Sequence, residues 1–168
     1  PEAIAEKMRG DPLELEVAFD LVDLVDSARG GDLLDRVKAL RRKVAMETGL
    51  VIPLVRTRDN LDLPASQYVI WLNGVPAAKG TSPAGTVLAI GDALDGLPGR
   101  PTREPVFGLP AKWVPVELQR QAEMAGATVV DRSSVITTHL AEVVRQNASQ
   151  LLGREAVKVL VELGRRTP

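Results

Sequence analysis

Leu13-Glu14-Leu15-Glu16-Val17-Ala18-Phe19 alternates apolar and acidic residues, the two-residue period of a strand with Leu13, Leu15, Val17 and Phe19 on a packed face and the glutamates on a wet one. Just downstream the period changes. Between residues 31 and 48, Leu33, Val37, Leu40 and Val44 recur every three to four positions, while Asp35, Arg36, Lys38, Arg41 and Arg42 fill the other side. That is an amphipathic helix. Gly30-Gly31-Asp32 opens it with Asp32 as candidate cap, and Gly49 closes it in the left-handed conformation. The β-branched run Leu50 to Thr57 follows, and Pro53 within it points to an edge strand or a bulge.

Tyr68 to Lys79 carries Asn73-Gly74 between two extended runs, and that dipeptide accepts the positive φ angles of a tight hairpin turn. From Pro83 to Pro115 the chain is rich in proline and glycine, with one strand-like run, Thr86 to Ile90, so a small loop-rich insertion is expected. Pro115 suits the first turn of a helix running to Gly126, followed by a short strand from Ala127 to Val130. Asp131, Ser133 and Ser134 are candidate caps for a long helix through Leu152, with Val135, Ile136, His139, Leu140, Val143 and Val144 as its apolar stripe. Gly153 ends it, and Arg154 to Leu163 reads as a last helix. Residues 1–12 read as a lead-in arm. The fold class is α+β.

Composition narrows the chemistry. The chain has 168 residues, 45% of them hydrophobic, enough for a sizeable core. It has no cysteine, which removes disulfides, thiolate zinc sites and cysteine nucleophiles. A net charge of -1 is not the basic footprint of a nucleic-acid binder. No apolar run approaches the roughly 20 residues of a membrane helix, so the chain is expected to be soluble. It begins at Pro1 and reads as part of something longer.

His139 is the sole histidine, so a metal site would rest on carboxylates, and no metal or other cofactor is expected. A triad of Ser134, His139 and Asp131 can be written down, but no nucleophile elbow surrounds the serine. Gly30-Gly31-Asp32 lacks the lysine and the spacing of a phosphate loop. Asp23, Asp26, Asp32 and Asp35 lack the spacing of a calcium loop and suit a solvated face. No catalytic residue is assigned. Aromatics make up only 3% of the chain, which draws attention to Phe107 and Trp113 beside a proline-framed stretch, Glu104 to Pro110. Either they line a recognition pocket or they plug a small core.

LELEVAFDLVDLVD, GGDLLDRVKALRRKVAMETGLVIP, RDNLDLPASQYVIWLNGV, EPVFGLPAKWV and TVVDRSSVITTHLAEVVRQNASQLLGRE, in this order, resemble the cytosolic region of the FlhA/SctV export-gate family of flagellar and type III secretion. The resemblance runs from about Leu13 to Leu163. It implies a first α/β subdomain from residues 13–84 plus 132–151, a second, loop-rich α+β subdomain inserted at 85–131, and the start of a helical third subdomain at 152–168. It further implies a docking platform on the cytoplasmic side of the bacterial inner membrane, held there by membrane helices outside this chain. Implied partners are export chaperones with bound substrates, other export-apparatus components and like subunits forming a ring. In the flagellar branch, which the pattern favours, cargo docks in a hydrophobic dimple between the first two subdomains. The matching positions are Ile90, Glu104, Phe107 and Thr138. Phe107 is expected as an apolar floor, Glu104 as a carboxylate at the edge accepting hydrogen bonds from a partner, and Thr138 as a rim contact. The alternatives are a small-molecule hydrolase centred on His139 and a module for ring assembly alone.

Overall fold

The computed structural model describes residues 11–148. Two four-stranded sheets are joined by one long helix. The first sheet has the order β2-β1-β3-β4 and comprises β1 (Leu13–Val17), β2 (Val55–Asp59), β3 (Gln67–Leu72) and β4 (Val75–Thr81). β1 and β2 run parallel, which requires a crossover connection. The short helical turn α1 (Val22–Val25) and the helix α2 (Leu33–Thr48) provide it. The other pairs are antiparallel.

Leu13, Leu15 and Val17 are fully buried, as the alternation requires, but the opposite face is not wet. Glu16 is buried too. Arg58 on β2 lies 3.1 Å from Glu16 and 3.6 Å from Glu14, and its guanidinium stacks 5.1 Å from the centre of the Trp71 ring on β3. β1 is flanked on both sides, so long side chains from its neighbours cover its glutamates. Phe19 lies past the end of β1 and is exposed.

Asn73 and Gly74 adopt φ of 49° and 79°, and Leu72 pairs directly with Val75, giving the expected two-residue hairpin with left-handed values at both turn positions. β2 is an edge strand that begins after Pro53. Gly49 closes α2 at φ 74°. Asp32 does not cap the helix: its carboxylate instead takes bonds from Arg36 Nε and Ser133 Oγ, both at 2.8 Å.

The second sheet, of order β6-β7-β5-β8, is antiparallel throughout. It contains β5 (Thr86–Ile90), β6 (Arg100–Arg103), β7 (Pro110–Pro115) and β8 (Thr128–Val130). The proline- and glycine-rich stretch therefore holds more strand than its composition suggests. Proline sits where it costs the ladder least: Pro110 and Pro115 are the two ends of β7, and Pro101 lies on the edge strand β6. Pro115 ends β7 rather than opening a helix. A 3-10 turn, Val116–Leu118, precedes α3 (Gln119–Met124).

The helix α4 (Arg132–Gln146) starts at Asp131, whose carboxylate accepts the Ser134 backbone N–H at 2.7 Å. Ile136, Leu140, Val143 and Val144 pack into the first sheet's core with Leu15, Tyr68 and Ile70. Each fully buried leucine or isoleucine there stabilises the fold by about 1.5–3 kcal/mol. At the same helix's start, Val135 packs on the second sheet against Leu88, Ala111 and Trp113. That sheet's other face is closed by Val87, Ala89 and Val114 against Ala122 of α3. The expected continuation of α4 to Leu152 and the helix from Arg154 lie outside the described residues.

Candidate functional site

The loop Glu104–Leu109 joins β6 to β7, and the rare-aromatic question divides there. Trp113 is 5% exposed and belongs to the second sheet's packing, whereas Phe107 is 78% exposed. Met46, Leu61 and Met124 stand about as far out or further, so exposure alone assigns no role. Glu104 explains how the loop holds Phe107 out. Its backbone N–H donates to Leu109 O, and Gly108 N–H donates back to Glu104 O, both at 2.9 Å. Its buried carboxylate accepts the Val106 amide at 2.5 Å and the Phe107 amide at 2.7 Å. Short charge-assisted bonds of this kind fix a turn well. Glu104 thus shapes the loop from inside, where the sequence suggested an acceptor turned toward a partner.

Ile90, Glu104, Phe107 and Thr138 line one hollow of about 260 Å³. They come from the end of β5, the loop and the second turn of α4, so the seam between the second sheet and the helix brings them together. Leu88 and Val130 provide more of its apolar wall, and Pro105, Leu109 and Val135 complete it. Pro105 and Leu109 belong to the flagged Glu104–Pro110 stretch. Val130 and Val135, at a strand end and a helix start, carry no local signal that separates wall from core.

His139, one residue beyond Thr138, does not face Ser134 or Asp131. Its Nδ1 shares a 2.7 Å hydrogen bond with the Tyr68 hydroxyl, and the two rings meet edge-on with centroids 5.7 Å apart. Burial lowers the histidine's pKa, against a smaller raising effect of the Glu104 charge. Burial also pushes the Tyr68 phenol well up. Ser134 Oγ and Asp131 are taken by Arg36, which donates to both and to Asp32. Burial tends to raise the Asp32 pKa, but the bonds from Arg36 and Ser133 outweigh it and leave the carboxyl below its usual range. The triad written from the sequence is therefore not assembled. Asp23, Asp26, Asp32 and Asp35 do not converge either, and no group of three potential metal ligands occurs among the described residues.

The sequence pattern of the FHIPEP family matches residues 1–167. The flagellar biosynthesis protein FlhA of Bacillus subtilis (strain 168) is 42% identical over 164 residues, covering 96% of this chain. The chain belongs to the FHIPEP family.

A second FHIPEP relative, the flagellar biosynthesis protein FlhA of Escherichia coli (strain K12), is 40% identical over 154 residues, or 90% of the chain. The chain spans only 24% and 22% of these two relatives, under a quarter of their length. Among solved structures, the CdsV protein of Chlamydia pneumoniae aligns with a TM-score of 0.74 at 26% identity, covering 93% of this chain and 46% of that one. A nonameric SctV-C structure from EPEC aligns at 0.59 and 20% identity, covering 94% of this chain and 46% of that one, and speaks for the fold alone. These findings bear out both the resemblance drawn from the sequence and the α+β class. Among the described residues of this FHIPEP chain, no helix is long and apolar enough to cross a membrane.

Proposed function

We propose that this chain is a docking platform of a bacterial flagellar or type III protein-export gate, and that the hollow around Phe107 receives export chaperones carrying their substrates. The observation that carries the reading is the large exposed aromatic of Phe107, held over an apolar hollow by a buried clasp. Shape and apolar surface supply affinity there, and Thr138 on the rim offers a hydroxyl for orientation. The reading involves no bond chemistry. Family membership supports the export role, and the two FlhA relatives favour the flagellar branch. The same reading places the whole protein in the inner membrane through segments outside this chain, in a ring of like subunits and in contact with other export components. The nonameric SctV-C structure and the CdsV structure solved with CdsO show such arrangements for those proteins, which this chain resembles in fold.

The test is titration calorimetry of a flagellar chaperone–substrate complex from the same bacterium against the wild-type chain and Phe107→Ala. Truncating a central aromatic anchor is expected to weaken binding about tenfold or more. Because Phe107 is so exposed, the unfolding free energy should stay within about 0.5 kcal/mol of wild type. Equal affinity of the two proteins would end the assignment of this hollow.

A further inference from the structure

Across Pro105 from the apolar hollow lies a second cleft of about 400 Å³ with different chemistry. Leu88, Pro105 and Val135 line both, so the two are contiguous. Its walls are Lys79, Gly80 and Thr81 of β4 and Thr102 and Arg103 of β6, the facing outer strands of the two sheets. Tyr68 and His139 lie between them.

The charges of this cleft are one-sided. Among the described residues, two cations line it and no carboxylate does. Lys79 makes no ion pair among the described residues, and the Arg103 guanidinium donates to a neutral group, the Gly108 carbonyl at 2.9 Å. Glu104 acts on His139 from nearby, but both its oxygens are already committed to the Val106 and Phe107 amides. An occupant that supplies a carboxylate meets the exposed Lys79 and Arg103, neither of them in an ion pair among the described residues, beside the hydroxyls of Thr81 and Thr102, and such contacts set orientation and specificity more than affinity.

We propose that this cleft receives an acidic side chain, aspartate or glutamate, of the same protein partner that places an apolar side chain in the hollow beside Phe107. The inference rests on the docking reading and adds to it the charge pattern of the partner: apolar and acidic residues adjacent on one surface segment. Contiguity of the two spaces favours a single segment bridging Pro105 over a free small anion, which would use only one of them. Strand addition suits the cleft less well, because Pro76 on β4 and Pro101 on β6 leave gaps in the donors that either edge could offer.

The experiment uses the same chaperone–substrate complex with the wild-type chain, Lys79→Glu, Phe107→Ala and Arg103→Gln, in low salt and in about 0.5 M salt, where the Debye length shrinks to about 4 Å and exposed charges are weakened. Lys79→Glu is expected to weaken binding about tenfold in low salt and much less in high salt, and Arg103→Gln to weaken it in the same direction. Carbodiimide coupling should join Lys79 to a carboxylate of the bound partner in the wild type. Unchanged affinity of Lys79→Glu with no coupling at Lys79, while Phe107→Ala still weakens binding, overturns this inference and leaves the docking reading standing. Full binding by Phe107→Ala, or none by wild type, overturns both. Saturable binding of acetate or inorganic phosphate alone, lost in Lys79→Glu, replaces the partner side chain with a small-anion site.

Discussion

The two sides of α4 meet their sheets in opposite ways. Toward the first sheet, Ile136, Leu140, Val143 and Val144 enter a continuous core with β1 and β3, and His139 bonds to Tyr68 within it. Toward the second sheet, Val135 makes the main apolar contact, and the hollow beside Phe107 and the cationic cleft open on either side of Pro105. One helix thus anchors on its first neighbour and borders open space on its second. Substitutions on the anchored side should act on stability, and those on the open side on binding.

The largest effect that tests this contrast is Leu140→Ala. Leu140 is 1% exposed within the first core, and its truncation is expected to cost about 2–5 kcal/mol in chemical denaturation. A loss below 1 kcal/mol would mean that the anchored side is not tightly packed. Next is Gly80→Ala. A Cβ at Gly80 would lie 2.4 Å from the Tyr68 hydroxyl oxygen and 2.5 Å from the ring carbon that bears it. The ring or the strand must then shift, at an expected cost of about 1–3 kcal/mol, and an unchanged melting temperature would argue against the close approach.

The smallest effect is on pH dependence. His139 has a folded pKa below its ordinary 6.5 because burial disfavours its charged form. The unfolded chain therefore takes up the proton first, so the histidine's share of stability is complete above about pH 6.5 and declines as pH falls below it. The slope from one proton cannot exceed about 1.4 kcal/mol per pH unit. Denaturation at pH 7.5 and 5.5 should show a fall in wild type that His139→Gln lacks. An equal fall in both variants would assign it to other groups.

The first sheet was the more legible because its signals are local. Alternation in Leu13 to Val17, the helical period after Asp32 and Asn73-Gly74 each specify a geometry within a few residues. β6 gave no such signal: Arg-Pro-Thr-Arg is four residues on an edge, three of them exposed, so neither alternation nor β propensity marks it. At the site, the scarcity of aromatics and the family resemblance picked out Phe107. Local pattern alone could not tell Phe107 from Trp113, because the strand pairing of β7 buries one and the clasp of Glu104 expels the other. That Glu104 clasps its own loop was not legible for a related reason. A carboxylate in a loop looks the same in sequence whether it faces a partner or its own backbone, and burial decides. The Tyr68–His139 bond joins residues 71 apart, beyond the reach of any spacing argument.

The connection of α4 to α2 through Asp32 and Ser133 spans 101 residues of chain. The second sheet, by contrast, is drawn entirely from the stretch between Thr86 and Val130. Contacts closed over short loops form sooner than those that wait for distant segments. On the ribosome, β1 to β4 emerge first yet lack the helix that completes their core until α4 leaves the exit tunnel. The later-made sheet can close upon itself while the earlier one is still unfinished, so the order of synthesis and the order of completion run in opposite directions.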